Sequence, residues 1–174
     1  MRLLLFVAFA VVFPDLANAQ AIRPWLGGSV GIGRLSIHGV AGGGITADAV
    51  GGVTLPHNVH VGAHVLHVSS AEIAHDEAGW TGGSLLAILA WTPDSAITLS
   101  TGFGRANAEQ GDTHLRGEQS VFETGLELAV PRGRGPGLRM LLTRTWAIGD
   151  PDWNDGAAHG RISQLHLGVG ILFR

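Results

Sequence analysis

The chain has 174 residues, enough for one domain with a substantial core, and it contains no cysteine that could form a disulfide. Hydrophobic residues make up 45% of it and charged residues only 14%, which is apolar for an exported soluble domain. The formal net charge is −3, and the 11 basic residues are all arginine, with no basic stripe of the kind that binds nucleic acid. The composition therefore excludes a nucleic-acid partner and favours a membrane.

The first residues have the pattern of a secretory signal peptide. Arg2 supplies the positive start, an apolar run from Leu3 to Phe13 follows, and Ala17-Asn18-Ala19 forms a small-residue cleavage site. The alternative is an N-terminal membrane anchor, but a membrane-spanning helix needs about 20 apolar residues. We therefore expect a signal peptide over 1–19 and a single domain over 20–174.

Beyond this segment, apolar residues alternate with polar residues or glycine in a series of runs that are bounded by turn residues. We predict eight strands, at 25–35, 40–55, 58–69, 80–91, 96–106, 119–130, 138–149 and 161–173. In the sixth, Phe122, Leu126 and Leu128 share one face, and Glu123 and Glu127 lie on the other. Apolar residues outside with polar residues or glycine inside are typical of a narrow barrel in lipid.

The connections between these strands alternate in length. Segments 55–58, 92–95 and 131–137 are short, whereas 71–79, 107–118 and 150–160 are longer and rich in acids. The first connection, near 36–39, is short and departs from the rule. Short turns at one end and longer polar loops at the other are typical of an outer-membrane barrel. The predicted fold is an all-β, closed, antiparallel, up-and-down transmembrane barrel.

The last predicted strand has a regular apolar face that ends on an aromatic residue. The apolar side chains alternate with smaller or polar residues and are Leu165, Leu167, Val169, Ile171 and Phe173. This pattern resembles the C-terminal assembly signal of bacterial outer-membrane proteins, although Arg174 follows the aromatic. The signal peptide, the strand number and the loop asymmetry resemble the small barrels of the OmpA/OmpX type.

We expect no cofactor and no metal, and this resemblance implies a place in the bacterial outer membrane, with membrane lipid and the barrel-assembly machinery as partners. It also implies a structural or surface-interaction role through the acidic loops. Because side chains fill the interior of an eight-stranded barrel, a wide pore is not expected. A soluble exported barrel that holds a small apolar ligand is the alternative, but its outer face should be rich in Lys and Glu, and the chain has no Lys.

Charged and polar residues on the inward faces predict a network inside the barrel. Its expected members are Asp48, Glu123, Glu127, Arg139 and His166. The two glutamates share a face of one strand, and Arg139 faces inward on the next. Paired catalytic carboxylates or a gate are the functional interpretations. We favour an ion-pair network that fills the lumen, because buried charges need partners.

Two histidine-containing patterns on the third strand suggest chemistry. His57, His60, His64 and His67 have the spacing of one helical face, which would suit a metal site. The segment alternates like a strand, however, so His60 and His64 are expected to line the lumen and His67 to point the other way.

The second pattern, "HVSSA", resembles the His-x-Ser-Asn-Ala motif of the lipid A deacylase family. The resemblance implies that His67 would activate Ser69 on the lipid-facing wall. Ser70 stands where the family has Asn, and Thr81 stands where it has a Glu that orients the His. We therefore expect no enzyme activity and keep a lipid A 3-O-deacylase-like esterase as the alternative.

The outer wall raises two further expectations. The aromatic residues expected at the membrane interfaces are Trp25, Trp80, Trp91, Trp146 and Phe103. On the seventh strand Arg144 shares a face with Met140 and Leu142, which would point an arginine toward lipid. Such an arginine costs about 2–4 kcal/mol at the bilayer midplane and little near the interface. Either it lies near the outer interface, or a bulge turns it inward.

Overall fold

A computed structural model describes residues 23–37, 40–71, 79–92, 96–111, 114–132, 135–157 and 159–173. The expected signal peptide over 1–19 lies outside these residues. Within them, no helix has the length and apolar character needed to cross a membrane.

The described chain consists almost entirely of strands. These are β1 (Arg23–Ile37), β2 (Val40–Leu55), β3 (Val59–Ala71), β4 (Trp80–Trp91), β5 (Ile97–Gln110), β6 (Arg116–Arg132), β7 (Gly135–Trp153) and β8 (Ile162–Phe173). A single 3₁₀ turn over Pro56–Asn58 joins β2 to β3. The strands extend further than alternation predicted, above all at the end of β5, the start of β6 and the end of β7. Polar residues such as Glu109 and Arg116 continue the pairing there.

The eight strands form a closed barrel in which every neighbouring pair is antiparallel. The closure joins the first strand to the last, from Leu26 opposite Phe173 to Ile37 opposite Ile162. Closure pairs the two end strands that an open sheet would expose to lipid. The predicted fold is confirmed.

Many large apolar side chains of the barrel wall point outward, and several charged side chains are buried inside. Val30 and Ile32 are each 67% exposed and Phe103 is 61% exposed, whereas His166 and Arg139 are 0% and 1% exposed. A large apolar side chain left in water forgoes about 1.5–3 kcal/mol of burial free energy. Exposed apolar residues occur on every strand, so this wall is suited to lipid rather than water.

Because the strands run up and down in sequence, their connections gather at two ends of the barrel. The connections after β1, β3, β5 and β7 share one end, here called the loop end, which carries the longer segments. The connections after β2, β4 and β6 and the two strand termini Arg23 and Phe173 share the other, here called the turn end.

Two glycines allow β2 and β3 to approach closely on the inner side. Gly52 and Gly62 lie opposite each other in the register. A Cβ on Gly52 would fall onto the carbonyl oxygen of Val61, and one on Gly62 onto that of Gly51. The narrow barrel therefore requires glycine at both positions.

Large apolar side chains fill the lumen towards the loop end. This apolar layer comprises Leu35, Leu66, Val68, Leu86, Val121 and Ile162, none more than 1% exposed, and Trp80 and Trp153, which meet edge to face with ring centroids 6.1 Å apart. Two of the aromatic expectations were wrong, because Trp80 and Trp25 are buried in the interior. Trp91, Trp146 and Phe103 do face outward, with 51%, 43% and 61% exposure.

Candidate functional site

Six ionisable side chains from five strands meet in the middle of the barrel. This charged layer comprises Asp48 (β2), His64 (β3), Glu123 and Glu127 (β6), Arg139 (β7) and His166 (β8), and every member is buried. The inward face of each strand supplies its residue, since side chains two apart along a strand point the same way. The structure brings the five predicted lumen residues into one cluster with His64.

Arg139 connects two strands that are distant around the barrel. Its Nη1 lies 3.2 Å from Asp48 Oδ2, and its Nε lies 3.2 Å from Glu127 Oε2. The guanidinium of Arg139, on β7, is thus held between one carboxylate on β2 and one on β6, which is the strand next to β7. A buried arginine in this position needs both carboxylates, because desolvation of an unpaired charge costs several kcal/mol.

Glu123 contacts His64 rather than Arg139. His64 Nδ1 lies 2.8 Å from Glu123 Oε1, and its Nε2 lies 3.5 Å from Asp48 Oδ2. Both ring nitrogens therefore face carboxylate oxygens, and both can carry a hydrogen only when the imidazole is protonated. His64 bridges β2 and β6 across the lumen.

His166 completes the layer together with two hydroxyl groups. Its Nδ1 lies 2.7 Å from Thr46 Oγ1, and its Nε2 lies 3.1 Å from Ser29 Oγ and 3.3 Å from Asp48 Oδ1. The Ser29 hydroxyl also donates to Asp48. Asp48 thus contacts His64, Arg139, His166 and Ser29, and it is the centre of the cluster.

A serine, a histidine and an aspartate in contact invite comparison with a hydrolase triad, but the geometry differs. In a triad the acid contacts one ring nitrogen and the serine contacts the other. Here Ser29 and Asp48 both lie beside Nε2 of His166, and Nδ1 contacts Thr46. Ser29 and Asp48 are 6% and 8% exposed, so both residues are buried in the barrel. The contacts are those of a structural network.

The charges of the layer can balance internally. Three carboxylates face one guanidinium and two imidazoles, so the cluster is neutral when both histidines are protonated. One interior cavity, of about 30 Å³, is lined by members of this layer together with Trp25 and His60. Among the described residues, no group of three or more His, Cys, Asp and Glu side chains is placed to hold a metal ion.

The other polar residues predicted for the lumen make contacts of their own. His60 lies 2.9 Å from Thr54 Oγ1 and 2.8 Å from Thr92 Oγ1, near the turn end. Gln164 donates from Nε2 to the carbonyl oxygen of Gly83 at 3.0 Å. Neither contacts the charged layer through these bonds. His57 lies in the turn before β3, with φ 62°.

His67 and Ser69 project from the outer wall of β3, towards the loop end. His67 is exposed and Ser69 is partly exposed. Ser69 Oγ donates to the carbonyl oxygen of Ile45 at 3.3 Å. Thr81 lies on β4 where the register with β3 shifts between Val68 and Ala71, and it donates to the carbonyl oxygen of Glu109 at 3.5 Å. Within the described part of the chain, no carboxylate pairs with His67.

Arg144 points outward, so no bulge turns it into the lumen. Its guanidinium carbon lies 3.8 Å from the centroid of the Trp146 ring, a cation–π contact. The predicted apolar face of the C-terminal strand also points outward. Leu165, Leu167, Val169, Ile171 and Phe173 are 40%, 45%, 55%, 48% and 45% exposed.

The signal that identified most of the charged layer was alternation. Ser29 and Thr46 were not identified from the sequence as partners of this layer, because an uncharged hydroxyl group does not require an ionic partner. Ser29 shares its face with Gly27 and Gly31, and Thr46 shares its face with Asp48. These shared faces were the available indication that both side chains point into the lumen.

Comparison with solved structures shows the same fold. The chain is similar to Neisserial surface protein A, with a TM-score of 0.66, 10% identity, and coverage of 88% of this chain and 99% of that one. It is also similar to Ail, the attachment invasion locus protein of Yersinia pestis, solved in complex with the heparin analogue sucrose octasulfate. There the TM-score is 0.51, with 9% identity and coverage of 88% and 100%. No protein-family model and no curated protein matches the chain.

The closed strand order and the apolar outer wall define the class: this is a small eight-stranded outer-membrane-type β-barrel. The predicted resemblance to small barrels of this class is confirmed. These similar structures do not show the local resemblance to the lipid A deacylase family, which stays a prediction.

Proposed function

We propose that this protein resides in the bacterial outer membrane, with its loop end outside the cell, and that it has a structural or surface-interaction role rather than a catalytic one. The observation that carries the proposal is a closed barrel whose outer wall is apolar and whose interior is occupied by side chains. Such a barrel exposes only its loop end to the exterior.

Two details support a surface role. The loop end carries acidic and basic side chains in close pairs, including Arg116 Nη2 2.8 Å from Glu118 Oε1 and His159 Nε2 2.6 Å from Asp155 Oδ2. The two similar structures are, by name, a surface protein and an attachment protein.

The charged layer and the apolar layer fill the lumen, so we infer that the barrel does not conduct large solutes.

Cell fractionation combined with a heat-modifiability gel tests the location. A folded outer-membrane barrel migrates differently before and after boiling, so we expect a band shift in the outer-membrane fraction. A soluble periplasmic protein without a shift would refute the proposal.

The C-terminal strand is proposed to be the signal that the barrel-assembly machinery recognises. Phe173 pairs with Leu26 at the closure and is outward-facing. Deletion of Phe173 and Arg174 should reduce the heat-modifiable form and leave aggregated or degraded protein. Arg174→Ala alone is the matched control and should leave assembly unchanged. Normal membrane levels of the deletion variant would contradict the assignment.

The alternative is a lipid A 3-O-deacylase-like esterase, favoured by one observation: His67 and Ser69 share the outer face of β3 near the loop end. Without an acid to orient and stabilise the imidazole, we expect no activity. The protein is expressed in a host that carries lipid A, and the lipid A is weighed by mass spectrometry. Loss of a 3-O-linked acyl chain that Ser69→Ala abolishes would establish the enzyme and refute our proposal.

A further inference from the structure

Two arginines on the outer wall flank the same residue. Leu165 on β8 is paired with Arg34 on β1 and with Arg144 on β7. Both arginines are outward-facing and exposed. Adjacent strands lie about 4.8 Å apart, so the two Cα atoms are separated by roughly 10 Å, within which two arginine side chains can converge on one group.

Small polar residues extend this pair into a groove. Ser36 and Ser163 are register partners one step towards the loop end, and both are partly buried. Together with Ala41, Gln164 and Leu165 they line a groove of about 250 Å³ between the two arginines. The groove offers guanidinium and hydroxyl donors, and it contains no carboxylate side chain.

The other outer-wall and loop-end arginines differ from this pair. Arg105 Nη1 lies 3.5 Å from Glu118 Oε2, Arg116 also contacts Glu118, and Arg161 Nη2 lies 3.7 Å from Asp150 Oδ1. In the part of the chain that the structure describes, neither Arg34 nor Arg144 has a carboxylate partner. The Trp146 ring holds the Arg144 guanidinium by its face, which leaves the edge N–H groups free to donate.

The groove lies where the apolar wall ends on two strands. Ile32 and Leu167, the next outward residues towards the turn end, are 67% and 45% exposed. Ser36 and Ser163, the next towards the loop end, are polar. Lipid acyl chains would therefore contact Ile32 and Leu167, and the lipid headgroups would lie level with the arginines.

We propose that Arg34 and Arg144 bind a phosphate monoester of an outer-leaflet lipid headgroup, with Ser36 and Ser163 as additional donors. The inference rests on the proposed membrane location. An arginine presents paired donors that match phosphate oxygens, and two arginines can neutralise one phosphate dianion. The lipid phosphate takes the place that carboxylates occupy at the other arginines, and it offsets the cost of placing two cations on a lipid-facing wall.

The test uses the full barrel refolded in detergent micelles, and native mass spectrometry measures lipid binding. The probes are lipid A, the same lipid with its phosphates removed, and inorganic phosphate. We expect the parent to bind lipid A about tenfold more tightly than the dephosphorylated lipid, as the loss of a charge-assisted contact predicts. The Arg34→Gln/Arg144→Gln variant should lose that preference, and each single variant should lose part of it.

The matched control is Arg105→Gln/Arg161→Gln, which removes the same charge from arginines that have carboxylate partners. It should keep the parental preference for lipid A. A heat-modifiability gel shows that each variant is folded before binding is measured. Because the measurement is made on the purified barrel, its outcome is independent of where fractionation finds the protein.

Three results would overturn the proposal. They are an unchanged preference in the Arg34/Arg144 variants, an equal loss in the control variant, and displacement of lipid A by millimolar inorganic phosphate. The last would identify a site for free anions instead of a lipid headgroup.

Discussion

The charged layer and the apolar layer fill neighbouring parts of the same lumen by opposite means. In the charged layer, Asp48 contacts Arg139, His64, His166 and Ser29, and each contact depends on the geometry of a partner. In the apolar layer, side chains such as Leu86 are held by packing alone, because they have no polar atom that needs a hydrogen-bond partner. One layer should therefore be sensitive to the loss of a single charge and the other to the loss of methyl groups.

Nothing forces the interior of a narrow barrel to be polar throughout. Its residues are screened from lipid by the sheet and from water by their neighbours, so they can be apolar as in a soluble core. Alternation predicted polar residues or glycine inside. The apolar layer departs from that rule, because Leu66 and Ile162 occupy inward positions with 1% and 0% exposure.

Breaking the charged layer should have the largest effect. Arg139→Ala leaves Asp48 and Glu127 without their guanidinium, and an uncompensated buried charge costs roughly 3–5 kcal/mol. We expect the free energy of unfolding to fall by this amount, as measured by urea unfolding of the barrel refolded in lipid vesicles. Unfolding at the parental urea midpoint would show that Arg139 is solvated rather than paired.

The control for this variant is Arg105→Ala. Arg105 is an exposed arginine whose side chain is 73% accessible and whose partner is Glu118. A surface ion pair contributes at most about 1 kcal/mol, so this variant should unfold close to the parent.

Truncating the apolar layer should have the next largest effect. Leu86→Ala removes a side chain that is 1% exposed and opens a cavity in the lumen. We expect a loss of about 2–5 kcal/mol in the same unfolding assay. The matched control is its neighbour Leu85, which is outward-facing and 60% exposed.

In Leu85→Ala, lipid chains occupy the vacated space, so the variant loses the transfer free energy of the removed carbons from water to lipid but gains no cavity, and its cost should be smaller than that of Leu86→Ala. The contrast between these adjacent leucines measures how far the interior behaves as a packed core. Equal losses at the two positions would contradict the assignment of the inner and outer faces of β4.

The smallest effect is expected at the loop end, outside both layers. The side-chain hydrogen bond from His159 holds the pKa of the Asp155 carboxyl below its ordinary value of 3.8, and the backbone N–H of Ala157 contributes to the shift. Because the pKa of Asp155 is lower in the folded state, the contact stabilises the fold at pH values above the pKa of the unfolded state. That contribution is lost as the pH falls through the pKa of the folded state.

Carboxyl NMR titration of the parent and of His159→Ala measures this shift. In the variant, the pKa of Asp155 should move back toward 3.8. The unfolding free energy near neutral pH should change little, because the pair is exposed. A parental Asp155 that titrates at or above its ordinary value would contradict the contact.

Alternation was sufficient to predict the strand number, the barrel and most of the charged layer. It failed where both faces of a strand are apolar. In β4 the run from Leu85 to Ala90 offers no contrast between the faces, and Trp80, which we expected at a membrane interface, shares the inner face with Leu86.

Which charged side chains contact one another inside the lumen could not be predicted from the local sequence either. Glu123 and Arg139 lie on neighbouring strands, yet Glu123 contacts His64, which is 59 residues away in the chain. Contacts across the lumen depend on the stagger of all the strands around the closed barrel, and that stagger is a property of the closure. The convergence of Arg34 and Arg144 on Leu165 has the same origin, because it exists only where β8 lies between β7 and β1.

The pairing of β1 with β8 also determines when the protein can fold. Leu26 and Phe173 are register partners although nearly the whole described chain separates them, which gives the barrel contacts of very high sequence separation. Contacts of this kind form slowly, because a long loop of chain must be ordered before they are made. Until the last strand is available, β1 retains an open edge beside an apolar face, a state that is prone to aggregate. The barrel segment must therefore be kept unfolded and protected until β8 has been made.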